Sequence, residues 1–285
     1  YTLKKIRVFK PEDFYVLSKI VIRITLPCAI INNFSKISMD MSMLILCVIG
    51  IACNLVYVGI GYGMNLKKSG YAKAFDMLNL SGYNIGNITM PFIQNFLGPN
   101  GFAATSLFDA GNSVMCTGLT FALASAAKGE GGKSSIGSMV KTLLSSLPFD
   151  CYVIMTVVAI FRIKLPEVVL SFASTAGGAN AFLALFMIGI GFEIHADKEK
   201  LTEIVKILSI RYSIALAFSL IFYFLAPFSL EVRQTLAIVA FGPVSSVSPA
   251  FTGKLHGDVE LSSAINSLQI MISVVLLTLA LIVVL

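Results

Sequence analysis

Leu78-Asn-Leu-Ser-Gly-Tyr-Asn-Ile-Gly-Asn-Ile-Thr-Met-Pro-Phe-Ile-Gln-Asn-Phe-Leu-Gly98 is apolar enough to enter a bilayer, yet it cannot run through one as an unbroken helix. Gly82, Gly86 and Pro91 interrupt it, and Asn84, Asn87 and Thr89 place polar groups at its centre. Lipid offers no hydrogen bonds to an opened backbone, so such a break survives only inside protein or along a watery cavity. Phe241-Gly-Pro-Val-Ser-Ser-Val-Ser-Pro-Ala-Phe-Thr-Gly253 has the same character. The two stretches predict two broken helices, with non-helical backbone at residues 86–91 and 242–249.

Working outward, the chain repeats apolar runs of about 20 residues, the length that crosses a membrane. Of its 285 residues 56% are hydrophobic and 13% charged, well outside the range of soluble domains. We read an all-α polytopic membrane protein with nine spans at residues 14–34, 40–64, 72–98, 102–127, 147–163, 166–194, 201–226, 230–255 and 259–285. A short amphipathic surface helix is expected over residues 135–146, and a kink in the sixth span at Gly177, Gly178 and Asn180. The net charge of +6 does not point to nucleic acid, because the basic residues fall between apolar runs instead of clustering with aromatics.

Topology follows from those basic residues, which are enriched in cytoplasmic loops. With residue 1 cytoplasmic, fifteen of the twenty-one Lys and Arg residues lie on the cytoplasmic side. Only Lys36, Arg162, Lys164 and Arg233 lie outside, and Lys19 and Arg23 fall within the first span. The C-terminus is then external and the location is the plasma membrane. The motif Met90-Pro91 to Asn112-Ser113 is echoed by Ser248-Pro249 to Asn266-Ser267, and this topology makes the two copies inverted. We therefore divide the chain into a first repeat at 1–127, a linker at 128–146 and a second repeat at 147–285. Five helices per repeat would give the inversion, so nine of ten helices are expected here and one before Tyr1.

No Ser-His-Asp set, His-Glu-x-x-His run or paired catalytic acids appear within the spans, so no enzyme, cofactor or metal is expected. The five cysteines lack metal-type spacing and read as small buried thiols. Broken helices in corresponding positions of two halves point to the binding site of a secondary transporter. A channel or a non-transporting receptor is the alternative. A channel, however, should show a polar stripe along several helices, and here the polar residues cluster at the breaks.

Four motifs together, Ser81-Gly-Tyr-Asn-Ile-Gly-Asn-Ile-Thr-Met-Pro-Phe92, Leu107-Phe-Asp-Ala-Gly-Asn112, Leu183-Ala-Leu-Phe-Met-Ile-Gly-Ile-Gly-Phe192 and Leu17-Ser-Lys-Ile-Val-Ile-Arg-Ile-Thr-Leu-Pro27, resemble the auxin efflux carrier family of bacterial type. The resemblance implies inverted five-helix repeats, an architecture related to the bile acid sodium symporters, and a transport domain moving against a scaffold. It also implies a small organic anion, carboxylate or auxin-like, as substrate, and it allows a homodimer in the bilayer.

Substrate contacts are expected from Asn84, Asn87, Thr89, Pro91, Ser245, Ser246, Ser248 and Pro249, where half-helix ends could hold an anion without a full positive charge. Asp109, some two turns into the fourth span, is the informative acid. It could carry a proton, stay ionised beside sodium or a cation, or serve as a hydrogen-bond partner of Asn112. Asn54, Asn112, Asn266 and Gln269 are supporting candidates. Arg211, some ten residues into the seventh span, could attract substrate anions, but snorkelling to the cytoplasmic surface is the preferred reading.

Overall fold

A computed structural model describes residues 8–10, 13–36, 41–129, 144, 147–191 and 200–285. Among these residues there are helices and connections but no strand. The surface helix expected at 135–146 lies outside the described set, apart from Leu144. The all-α polytopic reading holds. Ile45–Gly63, Leu201–Leu225 and Val259–Val284 are each long and apolar enough to cross a membrane by length and composition alone.

The first span is α1 (Asp13–Ile20) continued through a π turn, Val21–Thr25, into α2 (Leu26–Phe34). Next come α3 (Ile45–Gly63) and α4 (Gly70–Leu80), the latter capped by the Ser69 hydroxyl accepting from the Ala72 N–H. Beyond the first break, a π turn at Ile85–Thr89 leads into α5 (Met90–Phe96). The fourth span is α6 (Pro99–Val114), a π turn at Met115–Leu119 and α7 (Thr120–Lys128). The fifth is α8 (Leu147–Ile160), and the sixth divides into α9 (Glu167–Gly178) and α10 (Asn180–Gly191). That division falls at Ala179, where the Gly177-Gly178 pair predicted a kink. The last spans are α11 (Leu201–Leu225), α12 (Leu230–Val239) with α13 (Ser248–Lys254), and α14 (Val259–Val284).

Three sets of helices pack closely. The helix α2 lies against α8 and α9, while α3 packs on α4 and α6, and α11 packs on α12 and α14. Small residues set the closest approaches, as is usual where apolar lipid offers no drive for association. A Cβ on Gly111 would overlap the Cys47 carbonyl, and one on Gly50 would overlap that of Phe108, so α3 and α6 touch backbone to backbone. In α9, a Cβ on Gly177 would come within 2.7 Å of the Ala29 backbone nitrogen. We expect Gly111→Val to force α3 and α6 apart at a cost of about 1–3 kcal/mol, read as a lower unfolding temperature in detergent. An unchanged value would show that the helices can slide to relieve the clash.

The breaks differ from the sequence expectation in register. In the third span the non-helical backbone is Ser81–Asn84, and residues 86–91 are already helical. The reason is Gly82, whose φ of 88° lies in the left-handed region that glycine adopts at low steric cost, whereas Pro91 sits in the first turn of α5, where proline is tolerated. The eighth span is open from Ala240 to Val247 and becomes helical again at Ser248, close to the expected 242–249.

Candidate functional site

The two breaks meet. The Asn84 backbone N–H donates to the Pro243 carbonyl at 2.9 Å, joining the third span to the eighth at the point where both lack helical bonds. Each break is then held by amides from the neighbouring span of its own half. In the first half, the Asn54 amide oxygen accepts from the Gly82 N–H at 2.5 Å. Asn112 accepts from the Tyr83 N–H at 2.9 Å and donates to the Tyr83 carbonyl at 2.8 Å. In the second half, Asn266 donates to the Ser245 carbonyl at 3.1 Å and Gln269 accepts from the Val244 N–H at 2.9 Å. Gln269 also reaches across to donate to the Asn79 carbonyl at 3.3 Å. Buried backbone groups need partners, and these four side chains satisfy what the helices left open.

Arg211 corrects the sequence reading most. Its side chain is fully buried, not snorkelled. It donates to the carbonyls of Leu80 and Gly82 on one break and to Gly242 on the other, the last at 2.8 Å. Tyr57 and Tyr83 turn their ring faces to the guanidinium at 4.9 and 5.1 Å. Among the described residues no carboxylate lies within ion-pair distance of it, and its Nε has no hydrogen-bond partner there. A full positive charge therefore stands at the crossing, where none was expected. The signal that could have found it is position: an arginine about ten residues into an apolar span is a functional candidate by default.

Asp109 accepts from Asn112 at 2.9 Å and from the Tyr152 hydroxyl at 3.0 Å. The hydrogen-bond role beside Asn112 is thus present, and Tyr152 of α8 supplies its second partner. Asn112 in turn accepts from Asn54 at 3.1 Å, so Asp109 connects through two amides to the backbone of the first break. Ser81, Gly82, Cys116, Thr120, Ser245 and Ser248 line a crevice of about 10 Å³ between the two breaks, enough for about one water.

The remaining candidates divide by what already occupies them. Ser248 donates to the Leu78 carbonyl. The Thr89 hydroxyl is buried against Gly242, without a partner among the described residues. Pro91 is buried and Pro249 half-buried, each in the first turn of its half-helix. Asn84 and Asn87 flank the first turn after the break, with neither side-chain amide engaged among the described residues, while Ser246 is exposed. The structure does not place Asn87 in the crevice with Ser245.

A family model described as Membrane transport protein, the auxin efflux carrier domain, matches residues 1–146, about half of the chain. The chain belongs to this family. The matched part contains the first break, Asn54, Asp109 and Asn112, and the family's members are membrane transporters. No curated protein matches the chain.

Proposed function

We propose that this membrane transporter carries a small organic anion, a carboxylate or auxin-like acid, by moving the crossed broken helices past a scaffold. The repeats are residues 1–127 and 147–285, joined by 128–146, in the plasma membrane with residue 1 cytoplasmic and the C-terminus outside. The observation that supports this reading best is the buried Arg211 charge, which bonds to carbonyls of both breaks; Asn84 and Asn87, in the turn that follows the first break, have side-chain amides with no partner among the described residues. A cation with no carboxylate partner raises the local concentration of anions, and unengaged amides can exchange water for a carboxylate. Ser245 and Ser246 are the contacts from the second break, with Thr89, Pro91, Ser248 and Pro249 shaping it. Asn54, Asn112, Asn266 and Gln269 hold the breaks open.

The scaffold would be α1, α2, α8, α9 and α10, which pack on one another. A hydrogen-bonded line crosses from it to α5: Thr25 donates to Asn180 at 2.9 Å, Asn180 to Gln94 at 3.2 Å, and Gln94 to the Gly177 carbonyl at 2.8 Å. Such contacts can re-form after a shift because every partner is a side-chain amide, a hydroxyl or a backbone carbonyl. Coupling to a proton or sodium, and a homodimer, belong to the same proposal.

Uptake by proteoliposomes of labelled mono- and dicarboxylates, with organic cations and neutral solutes as comparison, tests it. Carboxylates should accumulate, and Asn87→Ala should weaken their binding by about ten- to a hundredfold, the worth of a hydrogen bond to a charged ligand. Uptake of cations or neutral solutes in preference would overturn the anion reading. Unchanged affinity in Asn87→Ala would place the substrate elsewhere.

A further inference from the structure

At the membrane face where the first, fifth and sixth spans end, a cleft of about 360 Å³ lies between the C-termini of α2 and α8 and the start of α9. Its walls are Phe34, Ser35, Leu165 and Leu170, with Arg162 and Lys164 at its mouth. That volume is within the range of about 300–1,000 Å³ found for small-molecule sites. The cleft is far along the chain from the crossing and shares no lining residue with the crevice there.

Charge is concentrated here against the trend. Only four Lys and Arg residues fall on this face of the membrane by the loop count, and two of them, Arg162 and Lys164, line the cleft, while a third, Lys36, follows the lining residue Ser35 in sequence. Arg162 and Lys164 are exposed, and among the described residues neither has a carboxylate within 4.0 Å. Glu167, the nearest acid along the described chain, lies in the first turn of α9, where the free N–H groups of the helix favour it. A cation beyond the last turn of α8 also suits that helix's dipole, but one charge would serve.

The backbone at Arg162 gives the second observation. The helix α8 ends with the Ile163 N–H donating to the Val158 carbonyl at 2.9 Å and the Arg162 N–H to Ala159 at 3.3 Å. This cap puts Arg162 at φ 52°, a left-handed position that glycine usually fills. Glycine would hold this turn at lower steric cost, so the guanidinium can be removed by substitution without opening the cap. Phe161, next to Arg162, and Val168 and Phe172 at the start of α9 are exposed apolar residues, as suits a surface that faces lipid.

We infer that this cleft binds an anionic phospholipid, its phosphate held by Arg162 and Lys164 and its acyl chains lying along the apolar wall. Basic pockets between membrane helices suit such headgroups. The occupant is a lipid and not a free anion because the site pairs exposed cations with an apolar wall at the bilayer surface.

Purified full-length protein in neutral detergent is titrated with phosphatidylglycerol, with phosphatidylcholine, and with inorganic phosphate, following unfolding temperature and lipid adducts by native mass spectrometry. Phosphatidylglycerol should bind and raise the unfolding temperature, with little effect of the other two. Arg162→Gly with Lys164→Gln should weaken phosphatidylglycerol binding by about tenfold or more. Because glycine fits the left-handed cap, Arg162→Gly alone should unfold, without lipid, at an unchanged or higher temperature, which separates lost binding from lost folding. Lys67→Gln with Lys68→Gln, on the other face, should bind as the parent does. Equal response to phosphatidylcholine, an equal effect of inorganic phosphate, or undiminished binding in the Arg162 and Lys164 variant would each overturn the assignment.

Discussion

Replacing Arg211 with methionine should abolish uptake and sharply lower the unfolding temperature of the purified protein. Methionine fills much of the same volume, so the loss is one of charge and hydrogen bonds. Three carbonyls, those of Leu80, Gly82 and Gly242, would be left in a buried setting without their donors. Hydrogen bonds to a charged group are worth roughly 1.5–3 kcal/mol each, and although such terms do not add strictly, a total of about 4 kcal/mol is expected. An unpaired buried cation is itself costly, and here three carbonyl dipoles and two tyrosine faces stand in for a counter-charge. Removing it therefore leaves the Asn84–Pro243 backbone bond and the Gln269 bridge to join the breaks. Arg211→Lys should recover part of the stability, since an ammonium keeps the charge but not the fork that spans two carbonyls. A methionine variant with parental stability would show that water or a shifted backbone can replace the guanidinium.

How far the sequence reveals this arrangement depends on whether the determining feature is local. The breaks are legible because glycine, proline and asparagine inside an apolar run open the helix and leave polar groups that lipid cannot satisfy. Asn54, Asn112, Asn266 and Gln269 are legible as polar groups at matching depth. The register of the first break is not. Gly82 and Gly86 are chemically alike in the sequence, and only the packing of Gly82 against Ser245 and Cys116, with the amides on either side, selects the former. The burial of Arg211 is hidden for a related reason: at its depth a long side chain can reach either the surface or the protein interior, and two of the carbonyls that decide it lie over a hundred residues away in sequence. Tyr152, which donates to Asp109 from α8, gives no signal, since a lone tyrosine in an apolar helix is ordinary until its hydroxyl finds a partner. The line from Thr25 through Asn180 to Gln94 is equally hidden, although Asn180 beside two glycines marks the interruption where it falls.

Asp109→Asn should remove the pH dependence of uptake while leaving the fold largely intact. The carboxylate accepts from Asn112 at one oxygen and from Tyr152 at the other. An asparagine can keep its oxygen toward Asn112 and turn its NH₂ toward Tyr152, whose hydroxyl is able to accept as well as donate. That arrangement imitates the protonated acid in shape and hydrogen bonding, so stability should stay within about 1 kcal/mol of the parent. What the amide cannot do is gain or lose a proton. If Asp109 is the proton carrier of the proposal above, its ionised form, of opposite charge, would act on Arg211 along the hydrogen bonds of Asn112, Asn54 and the peptide at Gly82, the route that joins them in the structure. With the proton bound, that opposition would be lost and an anion should be held more firmly. Proton and anion would then travel together, and the variant should bind substrate with one affinity across the acid-to-neutral range. Carboxylate uptake into proteoliposomes and substrate-induced stabilisation, each followed over that range for parent and variant, decide the matter. A variant that keeps the parental pH profile would exclude Asp109 as the titrating group, and a parent whose uptake does not vary with pH would leave it the hydrogen-bonded support of Asn112 alone.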